Sequence, residues 1–310
     1  MSNDVNPRVD IAFKKLFGVE ENKDLLMSLI NAIVSKEDQV ADIELLNPYN
    51  PRNFRNDKLS VLDIKARGNT GRRYNIEIQI SDEADYDKRA LYYWAKLYTE
   101  QLQKGADYSS LNKAIGIHIL NFLSIPGVEK YHNVFHLREK ENGFHYFDDI
   151  ELHTIELNKF DITNAELKEF LPKIKTSLDK WVMFLSRYDL LAKDKLPKEL
   201  DDPSLEKAID VLEEMNFSKA ERDAYEAHRK WLMIEANTLK KAQADSFAEG
   251  KIEGIAEGLE KGKIEGQLAE KMKIAKNLLL QGLDIDMIEH ATGLSRTAIL
   301  KLQKDEKNRD

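Results

Sequence analysis

The chain has no cysteine among its 310 residues, which excludes disulfides and thiolate metal sites and makes a reducing, cytoplasmic setting the expectation. It also lacks any run of about 18 apolar residues able to span a bilayer, and its opening MSNDVNPRVDIAFKKLF has no apolar signal-peptide core. Neither a membrane nor secretion is expected. Positive charge is in short supply too. Lys and Arg number 47 against 55 Asp and Glu, a net charge of -8, which argues against a protein that coats nucleic acid non-specifically. What is abundant is charge of both signs, 33% of residues against 42% hydrophobic, with a mean hydropathy of -0.53. Such a balance predicts long solvated helices in a chain of one or two domains.

The charge is unevenly spread. Residues 50–73 hold seven Lys or Arg against two Asp, a local +5 inside an acidic protein. Around this stretch the hydrophobic period changes. Val9, Phe13, Leu16 and Phe17 mark a first helix stopped by Gly18, and Leu25, Leu26, Leu29, Ile30 and Ile33 mark a second one capped by Asn22. Residues 59–66 and 74–80 then alternate as strands do, joined by the turn-forming stretch 67–72. Another helix runs from a cap at Asp82 through Trp94 and Leu97 to Gly105, and strands follow at 113–122, 131–137 and 150–157. The result is an α/β core of 1–160.

After Phe160 the pattern is almost purely helical, so a helical extension is placed at 161–217. Ser218 and Glu221 have capping-box spacing and open a long helix over 218–269. Within it Gly250, Gly254, Gly258, Gly262 and Gly266 recur every fourth residue. Each costs about 1 kcal/mol against alanine, so the row serves either close helix pairing or a low-complexity linker. The last segment, 270–310, reads as a small helical unit with a turn at Thr292-Gly293, resembling a helix-turn-helix. Glu289 departs from that pattern, because the position four before the turn glycine is usually small. Arg296, Lys301 and Lys304 lie on its second helix, which either contacts DNA or caps an assembly.

The hairpin carries the candidate chemistry. A turn centred on Thr70 sets Asp63 directly opposite Glu77, and two carboxylates with Cβ atoms about 5 Å apart destabilise a sheet unless something compensates. A divalent cation, Mg²⁺ or Mn²⁺, is the economical partner, and Gln79 points to the same face. Beside a basic patch this array suits phosphodiester hydrolysis, with Lys65 and nearby arginines holding the backbone. Asp10 on the first helix either approaches the metal or pairs with Lys14 four residues on. Arg89, Tyr92 and Tyr93 follow the hairpin, as phosphate contacts or as half-buried packing. His132 and His136 are i,i+4 but lack an evident third zinc ligand.

Asp63 followed by Glu77-Ile78-Gln79 resembles the PD-(D/E)XK nuclease motif. DIAFKKLFG at 10–18, KRALYYWAKLYTEQLQKGADY at 88–108, ELHTIELNKF at 151–160, the glycine repeat and ATGLS at 291–295 resemble the recombination-promoting nuclease and transposase (Rpn) family. The resemblance implies a restriction-endonuclease-like fold, with a central mixed β-sheet flanked by helices and a mainly α-helical C-terminal region. It also implies DNA cleavage with Mg²⁺ (or Mn²⁺ or Ca²⁺), in recombination, transposition, mobile-element or phage biology. Carried over by position, Asp63 and Glu77 ligate the metal and, with Gln79, form the catalytic set, supported by Asp10 and Lys65. Arg67, Arg72, Arg73, Arg89 and Tyr93 are expected at DNA, and a homo-oligomer is expected through the C-terminal helices. Gln79 replaces the superfamily's lysine, and a neutral amide orients water without stabilising hydroxide as an ammonium does. The alternative reading is a non-catalytic DNA-binding or assembly protein with a decayed site.

Overall fold

Alternating residues become strands of one sheet in the computed structural model, which describes residues 5–49, 63–82, 85–160 and 166–307. The strands are β1 (Ile43–Leu45), β2 (Ile64–Gly68), β3 (Arg73–Gln79), β4 (Ala114–Leu120), β5 (His132–His136) and β6 (Ile150–Glu156). Their order is β1-β2-β3-β4-β6-β5. The sheet is mixed: β1, β2 and β3 pair antiparallel, β3, β4 and β6 parallel, and β5 antiparallel to β6. Central β4 has parallel neighbours on both sides and is buried at every residue, which accounts for an almost unbroken apolar run, AIGIHIL. His118 is the polar exception.

Of the helices α1 (Asp10–Phe17), α2 (Lys23–Ile33), α3 (Tyr86–Thr99), α4 (Leu157–Phe160), α5 (Leu167–Phe170), α6 (Ser177–Arg187) and α7 (Pro203–Glu213), α2, α3 and α4 pack on strands, while α6 and α7 pack on α2. The predicted stripes are the buried ones: Phe13, Leu16 and Phe17 of α1 and Leu25, Leu26, Leu29 and Ile30 of α2 sit in one core with Ile76, Ile117, Trp181 and Leu205. α3 supplies the crossover that the parallel β3/β4 pair requires. The first compact unit runs over residues 1–235, so the shift to helix after Phe160 changes texture without ending the core.

Two boundaries differ from expectation. Of the first hairpin strand, residues 59–62 lie outside the described ones, and Ile64–Gly68 is strand. Asp82 does not cap α3; the chain enters that helix through Asp85, whose φ of 66° is left-handed. The helix stops at Thr99 because its last turn tightens, with Gln101 and Leu102 bonding to carbonyls three residues back, and Gly105 sits in the loop beyond.

At the amino ends of the parallel strands a charged network ties the layers together. Glu151 accepts from His153 Nε2 at 2.6 Å and Lys113 Nζ at 2.8 Å, and Lys113 also donates to Asp38, which accepts from Arg72 Nε at 2.8 Å. Burial works to raise the Glu151 carboxyl, but the hydrogen bonds from His153 and Lys113 outweigh it and hold it at about 2. Burial, then neighbouring His153, pushes His132 down to about 4. Both shifts have one sign. Stability is full above the unfolded values near 6.5 and 4.5 and is lost as pH falls toward 4 for His132 and toward 2 for Glu151. Urea titrations from pH 7 to pH 3 are expected to show a fall of order 2 kcal/mol, and Glu151→Gln should flatten its acid limb.

Helix α8 (Lys219–Leu280) opens with the predicted capping box: Ser218 N donates to Glu221 Oε2 at 2.6 Å and Glu221 N to Ser218 Oγ at 3.4 Å. It continues without a break into the first helix of the C-terminal unit. Among the described residues, nothing beyond the helix's own backbone and the chain neighbours lies within 4 Å of where a Cβ would stand on any of the five repeat glycines. In that unit α9 (Ile285–Thr292) and α10 (Arg296–Lys307) bury Ala275, Ile288, Leu294 and Ile299 together. Gly293 makes the turn at φ 65°. Glu289 fits because its side chain turns to the start of α10, accepting from Arg296 N at 3.2 Å, instead of pointing between helices. Among the described residues, no helix is long and apolar enough to cross a membrane.

Candidate active site

The hairpin pairs Ile64 with Ile76 and Lys65 with Asn75, so the next pair outward is Asp63 and Glu77. Ile76 and Ile78 turn the other way, into the core. Asn47, which sequence patterns did not single out, fixes Asp63: its Nδ2 donates to the Asp63 carbonyl at 2.9 Å and its Oδ1 accepts from Lys65 N at 2.7 Å.

Asp63 is 6% exposed, and its Oδ2 is buried with no hydrogen bond from the described residues. Burial raises its carboxyl above the usual range, against the pull of Lys65 and Lys14. Glu77 Oε1 accepts from Arg89 Nη2 at 3.5 Å, while Oε2 lies 3.7 Å from His118 Nδ1. That imidazole contacts the Tyr86 hydroxyl at 2.8 Å and is held at about 4, by burial first and then by His153 and Arg89. It is therefore neutral near pH 7 and brings Glu77 no full positive charge. A lone polar residue in an apolar strand was the legible signal for His118.

A cavity of about 500 Å³ opens over this pair, lined by Asp10, Asp63, Glu77, Gln79, Ser81, Arg89 and Tyr93. Its other wall is the start of α8: Ala224, Ala227, His228, Trp231 and Leu232. Those five positions are the i, i+3, i+4, i+7, i+8 stripe of one helix face, a signal present in the sequence but unassigned there. Asp10 reaches the cavity with Oδ2 3.5 Å from His228 Nδ1. Gln79 lines it while donating Nε2 to Ser81 O at 3.3 Å.

The predicted residues divide by strand end. Asp63, Glu77, Gln79, Asp10, Arg89 and Tyr93 come together at the carboxyl ends of the parallel strands, where open α/β sheets place ligands. Arg67, Arg72 and Arg73 lie at the hairpin tip, with Arg73 about 13 Å from Glu77 along β3. There Arg67 pairs with Glu44 and Arg72 with Asp38. Lys65 shares the face of Asp63 and lies 3.3 Å from Glu100. Tyr92 is exposed and packs edge-on to Tyr93. His132 shares a 2.9 Å hydrogen bond with His153.

Among the described residues, no group of three or more His, Cys, Asp or Glu converges to hold a metal. The pair still fits one kind of ion. Mg²⁺ commonly binds through one or two carboxylates and keeps several waters, and a buried carboxylate oxygen without a partner suits it.

Comparison with curated proteins and with solved structures returns no match. Two family models do match: Rpn/YhgA-like nuclease family, C-terminal HTH domain, over residues 268–304, and PD-(D/E)XK nuclease family transposase over residues 7–242. A mixed sheet flanked by helices, a carboxylate pair on its hairpin and a match over more than half its length show that the chain belongs to the PD-(D/E)XK nuclease family transposases.

Proposed function

We propose that this protein is a metal-dependent DNA endonuclease in which Asp63 and Glu77 hold Mg²⁺ or Mn²⁺, serving recombination, transposition or mobile-element biology. The observation that carries this reading is the buried Asp63 oxygen, without a partner among the described residues, at the strand position opposite Glu77 in a cavity at the strand ends. When bound, the ion supplies an activated water and polarises the phosphoryl group. Gln79 offers an amide oxygen to orient the attacking water but no charge to stabilise hydroxide. Arg89 turns from its long contact with Glu77 to the phosphate, with Tyr93 lining the same cavity and Lys65 on the strand face of Asp63. Plasmid nicking by wild type, Asp63→Ala and Glu77→Ala, with Mg²⁺ or EDTA, tests this. Cleavage confined to wild type with metal is expected; equal cleavage by all three proteins would sink it.

The C-terminal unit holds the duplex in this reading. Lys301 and Lys304 are exposed on α10, whereas Arg296 is paired with Asp286. Replacing both lysines by Ala should weaken duplex binding uniformly across sequences and reduce the salt slope by about 2. Assembly into a homo-oligomer is supported by exposed Ile252, Ile255 and Leu259 beside the open glycine row of α8. Gln79 favours a second reading, a decayed site in a DNA-binding protein, which metal-independent binding without nicking would support.

A further inference from the structure

We propose that the substrate at the cavity is unpaired DNA, a single strand or a splayed end, and that Trp231 stacks on a base next to the scissile phosphate. This deepens the nuclease reading and rests on it. Trp231 lines the same cavity as Asp63 and Glu77 and remains 47% exposed. The chain's other described tryptophans are otherwise engaged. Trp181 is buried, and Trp94 donates to the Ala114 carbonyl while stacking on Tyr98. Trp231 instead presents half of its surface at a polar, acidic site, where an indole without a ring partner from the substrate gains little from water.

Charge accompanies the ring. Arg89 lines the same cavity as Trp231, and the His228 ring meets the indole edge-on at 5.7 Å. An aromatic platform next to cations is how single strands are held without sequence preference, because every base offers a π-face and the backbone follows the positive charge. A base inside a duplex is already stacked on both sides and has no face to give. The cavity points the same way. Its α8 wall puts small Ala224 and Ala227 beside large His228, Trp231 and Leu232, around about 500 Å³ of space, room for a nucleotide.

The test uses the full chain and a fluorescein-labelled 20-mer of deoxythymidine, with a mixed-sequence duplex of equal length for comparison. Binding is read by anisotropy in EDTA, so no cleavage is needed. Trp231→Ala should weaken binding of the single strand roughly 5- to 100-fold, and Trp231→Phe should restore most of it. Unchanged single-strand binding by Trp231→Ala overturns the proposal. So does wild type cutting the duplex with Mg²⁺ at least as fast as the single strand. Asp63→Ala separates the two levels: it should bind the 20-mer yet leave it intact. If Asp63→Ala still cuts, the nuclease assignment fails, whatever Trp231 does.

Discussion

Asp63→Asn should lose cleavage at least about 100-fold and, in EDTA, melt at a higher temperature than wild type. In the proposed reading the first effect follows from removing a metal-ligating carboxylate, since even groups that only orient such ligands cost 10- to 100-fold when lost. The second follows from where the carboxylate sits. Asp63 is buried opposite Glu77, one of its oxygens is unpartnered, and burial holds its carboxyl above the usual range, so its charge opposes folding near neutral pH. A neutral isostere removes that opposition, with a gain of order 1 kcal/mol. Adding Mg²⁺ should raise the melting temperature of wild type and leave Asp63→Asn unmoved, because a ligand stabilises only the state that binds it. A variant that melts lower in EDTA would show that the carboxylate is structural. Activity and stability are in tension at this one residue.

Glu221→Ala should cost about 3 kcal/mol, the scale for breaking a buried charged network by removing one member. Glu221 is 2% exposed and accepts from Lys15 Nζ at 2.9 Å, the Tyr49 hydroxyl, and Ser218 N. It thereby fastens the first turn of α8 to α1 and to the segment after β1. Burial works to raise this carboxyl, but hydrogen bonds from Tyr49, Lys15 and Ser218 outweigh it and hold it below the usual range. Its contribution is then present above the unfolded value near 4.5 and lost as pH falls through the folded one. Urea denaturation of wild type against Glu221→Gln should show a gap at pH 7 that closes in acid. Because Ala224 is the next turn of the same helix, Glu221→Ala should also loosen the cavity wall and raise KM for cleavage more than it lowers kcat.

The features legible in the sequence are those with a local cause. Strict alternation around a short turn set the hairpin register, and with it the meeting of Asp63 and Glu77, because a one-residue slip would bury the wrong face. The Ser218 capping box was readable for the same reason, as two residues at fixed spacing satisfy each other's backbone. What could not be read depends on contacts between distant segments. Nothing near Trp231 in sequence says that its helix returns to wall the hairpin, and nothing near Asn47 says that its amide spans the backbone at Asp63. The arginines of the hairpin tip show the opposite case. Their charge is obvious in sequence, but Glu44 and Asp38 neutralise Arg67 and Arg72 in the fold.

One wall of the cavity comes from residue 10 and the other extends to residue 232. Synthesis at about 5 to 20 residues per second separates their emergence from the ribosome by roughly 10 to 45 s. During that interval a nascent chain carries Asp63 and Glu77 without the helix that encloses them. The α8 wall is thus the last part of the cavity to be made, and the long helix sets the moment at which the carboxylate pair becomes enclosed.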